Sequence, residues 1–245
     1  MLFRSNTKNK GYQDFSVLGV DLHSHLIPGI DDGSTSLEES IVMLQKLVDL
    51  GFKKAITTPH VNSDYFRNDN STINAGLNIL KRAATKNNIP LIIEAAAEYY
   101  IDYEFVQNIK NKFPFLTFGK NYILVEVSFF NPPDKLPEIL FELQLEQYKP
   151  VLAHPERYMY WFDNFGFYEE LHSRGILFQV NLNSISGYYG PDIQKMSYMF
   201  IDKNMCSFVG TDCHRIQHLE IVETVLGNRH FNKLINSGTL LNNTL

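Results

Sequence analysis

The chain has 245 residues, 44% of them apolar and 20% charged, with a net charge of −5 and a pI of about 5.9. That length suits one α/β domain with a sizeable core, and the acidic balance, with no Lys/Arg run, argues against a nucleic-acid partner. Two cysteines, Cys206 and Cys213, make no disulfide framework and point to a reducing, cytoplasmic setting.

The first stretch, "MLFRSNTKNKGYQDFS", is polar and has no apolar run of signal-peptide type, and no later run is long enough for direct membrane insertion. Residues 1–15 are expected to be a poorly ordered N-terminal extension of a single domain over 1–245. "SVLGVDL" (16–22) reads as a buried strand. "STSLEESIVMLQKLVDLG" (34–51) reads as a helix. Ser36 and Glu39 form a capping box there, Leu37, Ile41, Leu44, Leu47 and Val48 share one face, and Gly51 ends it. "KKAITTPH" (53–60) is strand-like up to Pro59, and the polar residues 61–71 form a surface loop.

Helical patterns follow over about 72–87, 102–112, 135–147, 165–174 and 190–204. Strand patterns lie between them at 90–100, 122–129, 150–156, 176–182 and 206–212. Strands separated by helices pair in parallel. About seven such units in one domain favour a distorted seven-stranded β/α barrel over an open sheet.

The ionisable residues recur at one position in these units. His23 and His25 end the first strand and His60 the second. Glu98 ends the third, Glu126 lies late in the fourth, His154 ends the fifth, and Asp212 and His214 end the last. In parallel α/β folds the carboxyl ends of the strands converge on one face. Imidazole and carboxylate suit Zn²⁺, Mn²⁺ or Fe²⁺. In His23-x-His25 both side chains point the same way along an extended backbone, and so many donors point to two or three ions.

Each residue taken alone has an ordinary explanation. A histidine at a strand end is commonly a hydrogen-bonded polar residue. "DDG" reads as a turn, with Asp31 or Asp32 capping it and Gly33 at positive φ, and Asp31 keeps that reading. Cys213 faces away from Asp212 and His214 and serves as filler. The joint placement of metal-type residues at nearly every strand end outweighs these separate explanations.

The motifs "DLHSH", "DDG", "TTPH", "AAEYY", "LAHPERY" and "GTDCH" resemble, in order and context, the PHP (polymerase and histidinol phosphatase) superfamily. Within it they are similar to the bacterial PHP-type tyrosine-protein phosphatases of the CpsB/CapC/YwqE-like group, from about Val20 to His214. The resemblance implies three divalent metal ions, usually Mn²⁺. His23, His25, Glu98 and Asp212 would hold the first, and Glu98, Glu126 and His154 the second. Asp32, His60 and His214 would hold the third. Arg157 matches an arginine used near the phosphate. A second arginine is expected about five residues after the final histidine motif, where this chain has Leu219, and Arg215 is the nearby candidate to replace it.

The expected reaction is phosphomonoester hydrolysis by a metal-bridging hydroxide, with Arg157 neutralising the equatorial oxygens. Neither cysteine has an arginine six residues later, so no cysteine-based phosphoenzyme is expected. Tyr99, Tyr100, Tyr158, Tyr160 and the 61–71 loop could frame an aromatic ester, with ordinary packing the favoured reading for most of the tyrosines. The implied partner is a phosphotyrosine protein, a membrane-anchored tyrosine kinase. The alternatives are a histidinol-phosphate or other small phosphoester phosphatase, a nuclease-like activity disfavoured by the charge, and a non-catalytic metal-binding regulator.

Overall fold

Proline and glycine decide where several strands begin and stop. The computed structural model describes residues 11–245. In chain order it contains β1 (Val20–Leu22), α1 (Leu37–Asp49), β2 (Lys54–Thr57), β3 (His60–Val61), α2 (Asn70–Lys86), β4 (Ile92–Ala95), β5 (Glu98–Tyr100) and α3 (Tyr103–Lys110). There follow β6 (Tyr122–Glu126), α4 (Leu136–Leu145), β7 (Lys149–Ala153), α5 (Phe165–Ser173), β8 (Leu177–Asn181) and α6 (Leu182–Ser186). The chain ends with α7 (Pro191–Asp202), β9 (Phe208–Gly210), α8 (Ile216–Val222) and α9 (Arg229–Ile235).

Every strand pair is parallel. The ladder divides into a three-stranded sheet, β1-β2-β4, and a six-stranded one, β3-β5-β6-β7-β8-β9. The division follows from Pro59, which has no N–H to give to a ladder. It splits the second expected strand into β2 and β3, and the third splits opposite it into β4 and β5. Single hydrogen bonds still cross the break, Ala96 N–H to the Thr57 carbonyl (2.9 Å) and Glu98 N–H to the Pro59 carbonyl (3.1 Å). The expected α/β architecture is therefore a curled parallel sheet, and its hydrogen bonding is not one uninterrupted seven-stranded ladder.

Strand residues alternate between two apolar layers, as a pleated strand covered on both faces requires. Ile123 and Val125 pack outward with the helices, whereas Leu124 joins Val20, Leu22, Ile56, Val151 and Phe208 inside the curl. Phe118, Tyr122 and Phe208 close the inner layer at the amino ends of β6 and β9, with ring centroids 5.2–5.7 Å apart.

The curl brings β9 back beside β1. Asp212 N–H donates to the His23 carbonyl (2.8 Å) and His25 N–H to the Cys213 carbonyl (3.0 Å). A Cβ on Gly210 would lie 1.6 Å from the Leu22 carbonyl oxygen, so only glycine permits this approach. The carboxylate of Asp21 accepts from Thr211 N–H (2.8 Å) and Oγ1 (3.0 Å). Below it, the buried Asn242 amide accepts from Val209 N–H (3.0 Å) and donates to the carbonyls of Val209 (2.8 Å) and Val20 (3.1 Å).

Three local expectations change. Ser16 and Val17 lie in a 3-10 turn rather than a strand, because Asp14 caps Ser16 N–H (2.9 Å) and Gly19, at φ 71°, redirects the chain. Ser36 does cap Glu39 N–H, but the Glu39 carboxylate turns to Thr35 N–H (2.8 Å) and Oγ1 (2.9 Å), so the box is half formed. The reciprocal box is at α2, between Asp69 and Thr72, and it starts that helix inside the expected loop. The expected extension at residues 1–15 falls mostly outside the described residues. Its last members, Tyr12 and Phe15, pack against Phe231.

Asn242→Ala is expected to leave buried backbone groups of β1 and β9 unpaired. It should lower stability by roughly 2–4 kcal/mol in urea unfolding. A loss below about 0.5 kcal/mol would mean that the seam does not depend on this amide.

Candidate metal centre

All nine expected donors meet at the carboxyl ends of the strands. β1 leads into His23 and His25, β3 carries His60, β5 carries Glu98 and β6 ends on Glu126. His154 follows β7, Asp212 and His214 follow β9, and Asp32 comes from the loop before α1. Glu98 is central. Its Oε2 lies 3.0 Å from His23 Nε2, 3.2 Å from His60 Nδ1 and 3.5 Å from His25 Nε2, and its Oε1 lies 3.1 Å from His154 Nε2. Glu126 approaches His154 (3.5 Å) and His60 (3.6 Å). Asp212 Oδ1 is 3.3 Å from His23 and 3.5 Å from both His25 and His214. At the outer edge Asp32 meets His214 (3.3 Å) and His60 (3.5 Å).

Four overlapping groups keep their donor atoms within 4.8 Å of one another. They are His25–Asp32–His60–His214, His23–His154–Asp212, His23–His25–Glu98 and His60–Glu98–Glu126. His25 and His60 thus each belong to two groups.

The backbone turns sharply where these side chains leave it. His23 (φ 88°), His154 (φ 31°) and Asp212 (φ 48°) all occupy the left-handed region. Non-glycine residues seldom adopt it, at about 1–3 kcal/mol each. The pair His23 and His25 therefore reaches the cluster through a kink after β1, not along an extended strand. Gly33 is not at positive φ as expected. It is needed because a Cβ there would lie 2.3 Å from the His25 Cβ.

A further set of residues aims the donors. His23 Nδ1 lies 2.7 Å from Gln179 Oε1, Gln179 Nε2 donates to Asn181 Oδ1 (3.0 Å), and Asn181 Nδ2 donates to Asp212 Oδ2 (2.7 Å). His25 Nδ1 lies 2.7 Å from Asp31 Oδ2, which also accepts His60 N–H (3.1 Å). Both oxygens need a proton on Nδ1, and that tautomer leaves each Nε2 lone pair facing the cluster. The buried His25 Nε2 has no hydrogen-bond partner among the described residues. An orphaned imidazole nitrogen among carboxylates fits a cation. Sequence reading placed Asp31 in the turn only. It missed Gln179 and Asn181, whose signal is two amides alternating with apolar residues in the buried strand "LFQVN".

Electrostatics point the same way. Burial opposes every charge here, yet His23 and its neighbouring imidazoles hold Glu98 and Asp212 well below the ordinary carboxylate range. His23 is raised against its own burial by Glu98 and Asp212, and His25 well above its ordinary value chiefly by Asp31. Burial, with Glu98 and Asp212 nearby, pushes Glu126 well up, and burial pushes His154 down to about 4. The imidazoles of His23 and His25, both raised, supply the positive charge that these desolvated carboxylates demand.

Arg157 reaches the rim, its Nη1 donating to Asp212 Oδ2 (3.1 Å). Arg215 is exposed at the start of α8 and is joined to the cluster by no hydrogen bond or ion pair among the described residues. Leu219 is buried in the core. Most of the candidate tyrosines are packing residues. Tyr99 OH accepts Leu116 N–H (2.7 Å), Tyr158 OH accepts Val127 N–H (3.2 Å), and Tyr160 OH donates to the Ser128 carbonyl (2.7 Å). Tyr100 lines a cleft of about 310 Å³ with Asn62 and Arg67 of the expected loop. Both cysteines are free and buried. No helix among the described residues is long and apolar enough to cross a membrane.

The chain is 29% identical over 198 residues to the tyrosine-protein phosphatase YwqE of Bacillus subtilis, a match covering 81% of this chain and 78% of that one. It is 30% identical over 197 residues to CapC of Staphylococcus aureus, covering 80% and 77%. Among solved structures it superposes with TM-score 0.76 and 28% identity on one of the pair YwqE from B. subtilis and CpsB from Streptococcus pneumoniae, which are metal-dependent tyrosine phosphatases. That superposition covers 88% of this chain and 84% of the other. The model of the capsular polysaccharide synthesis family CpsB/CapC matches residues 19–221, a span that includes every donor of the cluster, and the protein belongs to that family.

Proposed function

We propose that the protein is a metal-dependent phosphomonoester hydrolase acting on protein phosphotyrosine. The observation that carries this is the nine-donor cup at the strand ends, with one arginine edge turned toward it. The similarity to YwqE, a tyrosine-protein phosphatase, supports the choice of ester. We read the two sheets as one distorted barrel of seven strand positions within a single domain, sealed where β1 meets β9.

The ligand sets proposed are His23, His25, Glu98 and Asp212 for one ion, Glu98, Glu126 and His154 for a second, and Asp32, His60 and His214 for a third, with Mn²⁺ the favoured metal. Divalent ions held there would polarise a phosphoryl oxygen and make hydroxide available at neutral pH. The residues of the chain do the rest. Gln179 and Asp31 hold the tautomers of His23 and His25, and Asn181 and Arg157 fix one oxygen of Asp212. Arg157 offers its remaining N–H groups to the equatorial oxygens of the phosphoryl group, where negative charge must be met. Phenolate is a good leaving group, so no dedicated acid is required. The substrate proposed is a membrane-anchored tyrosine kinase of a capsule or exopolysaccharide system, met from the cytoplasm.

The test is metal analysis of the purified protein, with turnover of p-nitrophenyl phosphate before and after chelation. Bound divalent metal, loss of turnover on chelation and its return with Mn²⁺ are expected. Metal-free protein with chelator-insensitive turnover would overturn the reading. A phosphotyrosine peptide should be a better substrate than histidinol phosphate, and the reverse order would favour the small-molecule alternative.

Arg157→Ala should reduce kcat/KM by roughly 100-fold or more with metal content retained, whereas Arg215→Ala should change it less than about threefold. Equal losses would show that both guanidiniums act on the phosphate.

Because His23 and His25 titrate above their ordinary range in the metal-free cluster, metal loading should release protons and weaken as pH falls. The check is calorimetry of Mn²⁺ uptake in two buffers of different ionisation enthalpy. Proton uptake instead of release would contradict it.

A further inference from the structure

Arg157 is held by more than its ion pair. Its guanidinium carbon lies 4.6 Å from the ring centroid of Phe129, on the segment after β6, and 4.6 Å from that of Tyr189, on the segment after α6. Two rings from loops 60 residues apart therefore meet one side chain that follows β7. An arginine between two aromatic faces can make strong contacts only through the edge of its plane. On that edge Nη1 is tied to Asp212 Oδ2, while Nε and Nη2 make no hydrogen bond among the described residues. The side chain is 24% exposed, so it can be reached from solvent. Phe129 also stacks on His154, with ring centroids 5.4 Å apart and planes at 27°, so the clamp and the donor set share one wall.

We propose that Tyr189 and Phe129 are positioning residues that lock the Arg157 guanidinium between their rings, with its free N–H edge presented to the phosphoryl group. The inference rests on the phosphatase reading above. An unclamped arginine loses rotamer freedom each time it binds an anion. A clamped one has lost it on folding, so the phosphoryl group meets donors already in place. The ring and not the hydroxyl of Tyr189 performs this, and a phenylalanine there would serve equally.

The experiment is a double-mutant cycle on the metal-loaded protein with p-nitrophenyl phosphate, using Arg157→Ala, Tyr189→Ala and both together. Binding of inorganic phosphate is measured by calorimetry, with melting temperature and metal content as controls. Tyr189→Ala is expected to lose roughly 10- to 100-fold in kcat/KM and to bind phosphate more weakly. Tyr189→Phe is expected to retain both. In the Arg157→Ala background, Tyr189→Ala should add almost nothing, because its effect passes through the arginine. If Tyr189→Ala melts early, Tyr189→Leu keeps the apolar bulk without the ring face and should show the same loss. Wild-type-like activity and phosphate binding in Tyr189→Ala and Tyr189→Leu, or losses that multiply with that of Arg157→Ala, overturn the clamp. A wild-type protein without turnover overturns the phosphatase reading instead, and the phosphate titration then decides the clamp by itself.

Discussion

Two carboxylates, Glu98 and Asp212, are buried among five imidazoles at the mouth of the curled sheet, and much of the structure answers to them. A carboxylate taken out of water demands positive charge close by. Here it is met from His23 and His25, both raised above their ordinary range, and on one side from Arg157. Burial first, and then the two negative charges beside it, drive Glu126 the other way. Such a constellation is costly in an isolated protein and natural for one that takes up cations. Family membership over 19–221 and the likeness to metal-dependent phosphatases agree with that physical reading.

Holding the donors in place requires local departures from easy backbone geometry. Three donor residues sit at positive φ, and the strand ends tolerate this because the seam behind them is tightly determined. Gly210 lets β9 touch β1, Asp21 grips Thr211, and Asn242 ties both strands at the far end. Strain at the mouth and rigidity at the base belong to one design, in which packing elsewhere over-determines the unfavourable conformers. Pro59 adds a break in the ladder directly before His60, which frees that residue to turn into the cup.

The aromatic residues divide by layer. Phe118, Tyr122 and Phe208 fill the base, Tyr99 and Tyr158 spend their hydroxyls on backbone N–H groups, and Phe129 and Tyr189 flank the arginine at the rim. Tyrosines near a predicted site are thus poor guides to its chemistry. Their roles depend on which side of the pleat they leave, and a shift of one residue reverses that.

The donor set was legible in the sequence because strand ends converge in any parallel α/β sheet, so His23, Glu98, His154 and Asp212 could be gathered without knowing the register. Arg157 was legible only through its motif, beside His154. What supports them was not. Gln179 meets His23 across 156 residues of chain, Asn181 meets Asp212, and Asn242 reaches β1 from the far terminus. The kinks at His23, His154 and Asp212 were hidden as well, since none is a glycine. The sequence alone determined which donor atoms come together at the strand ends, through residue type and position along each strand. Only the tertiary structure decided how they are aimed, because aim depends on strand register and on contacts between segments that no local pattern links.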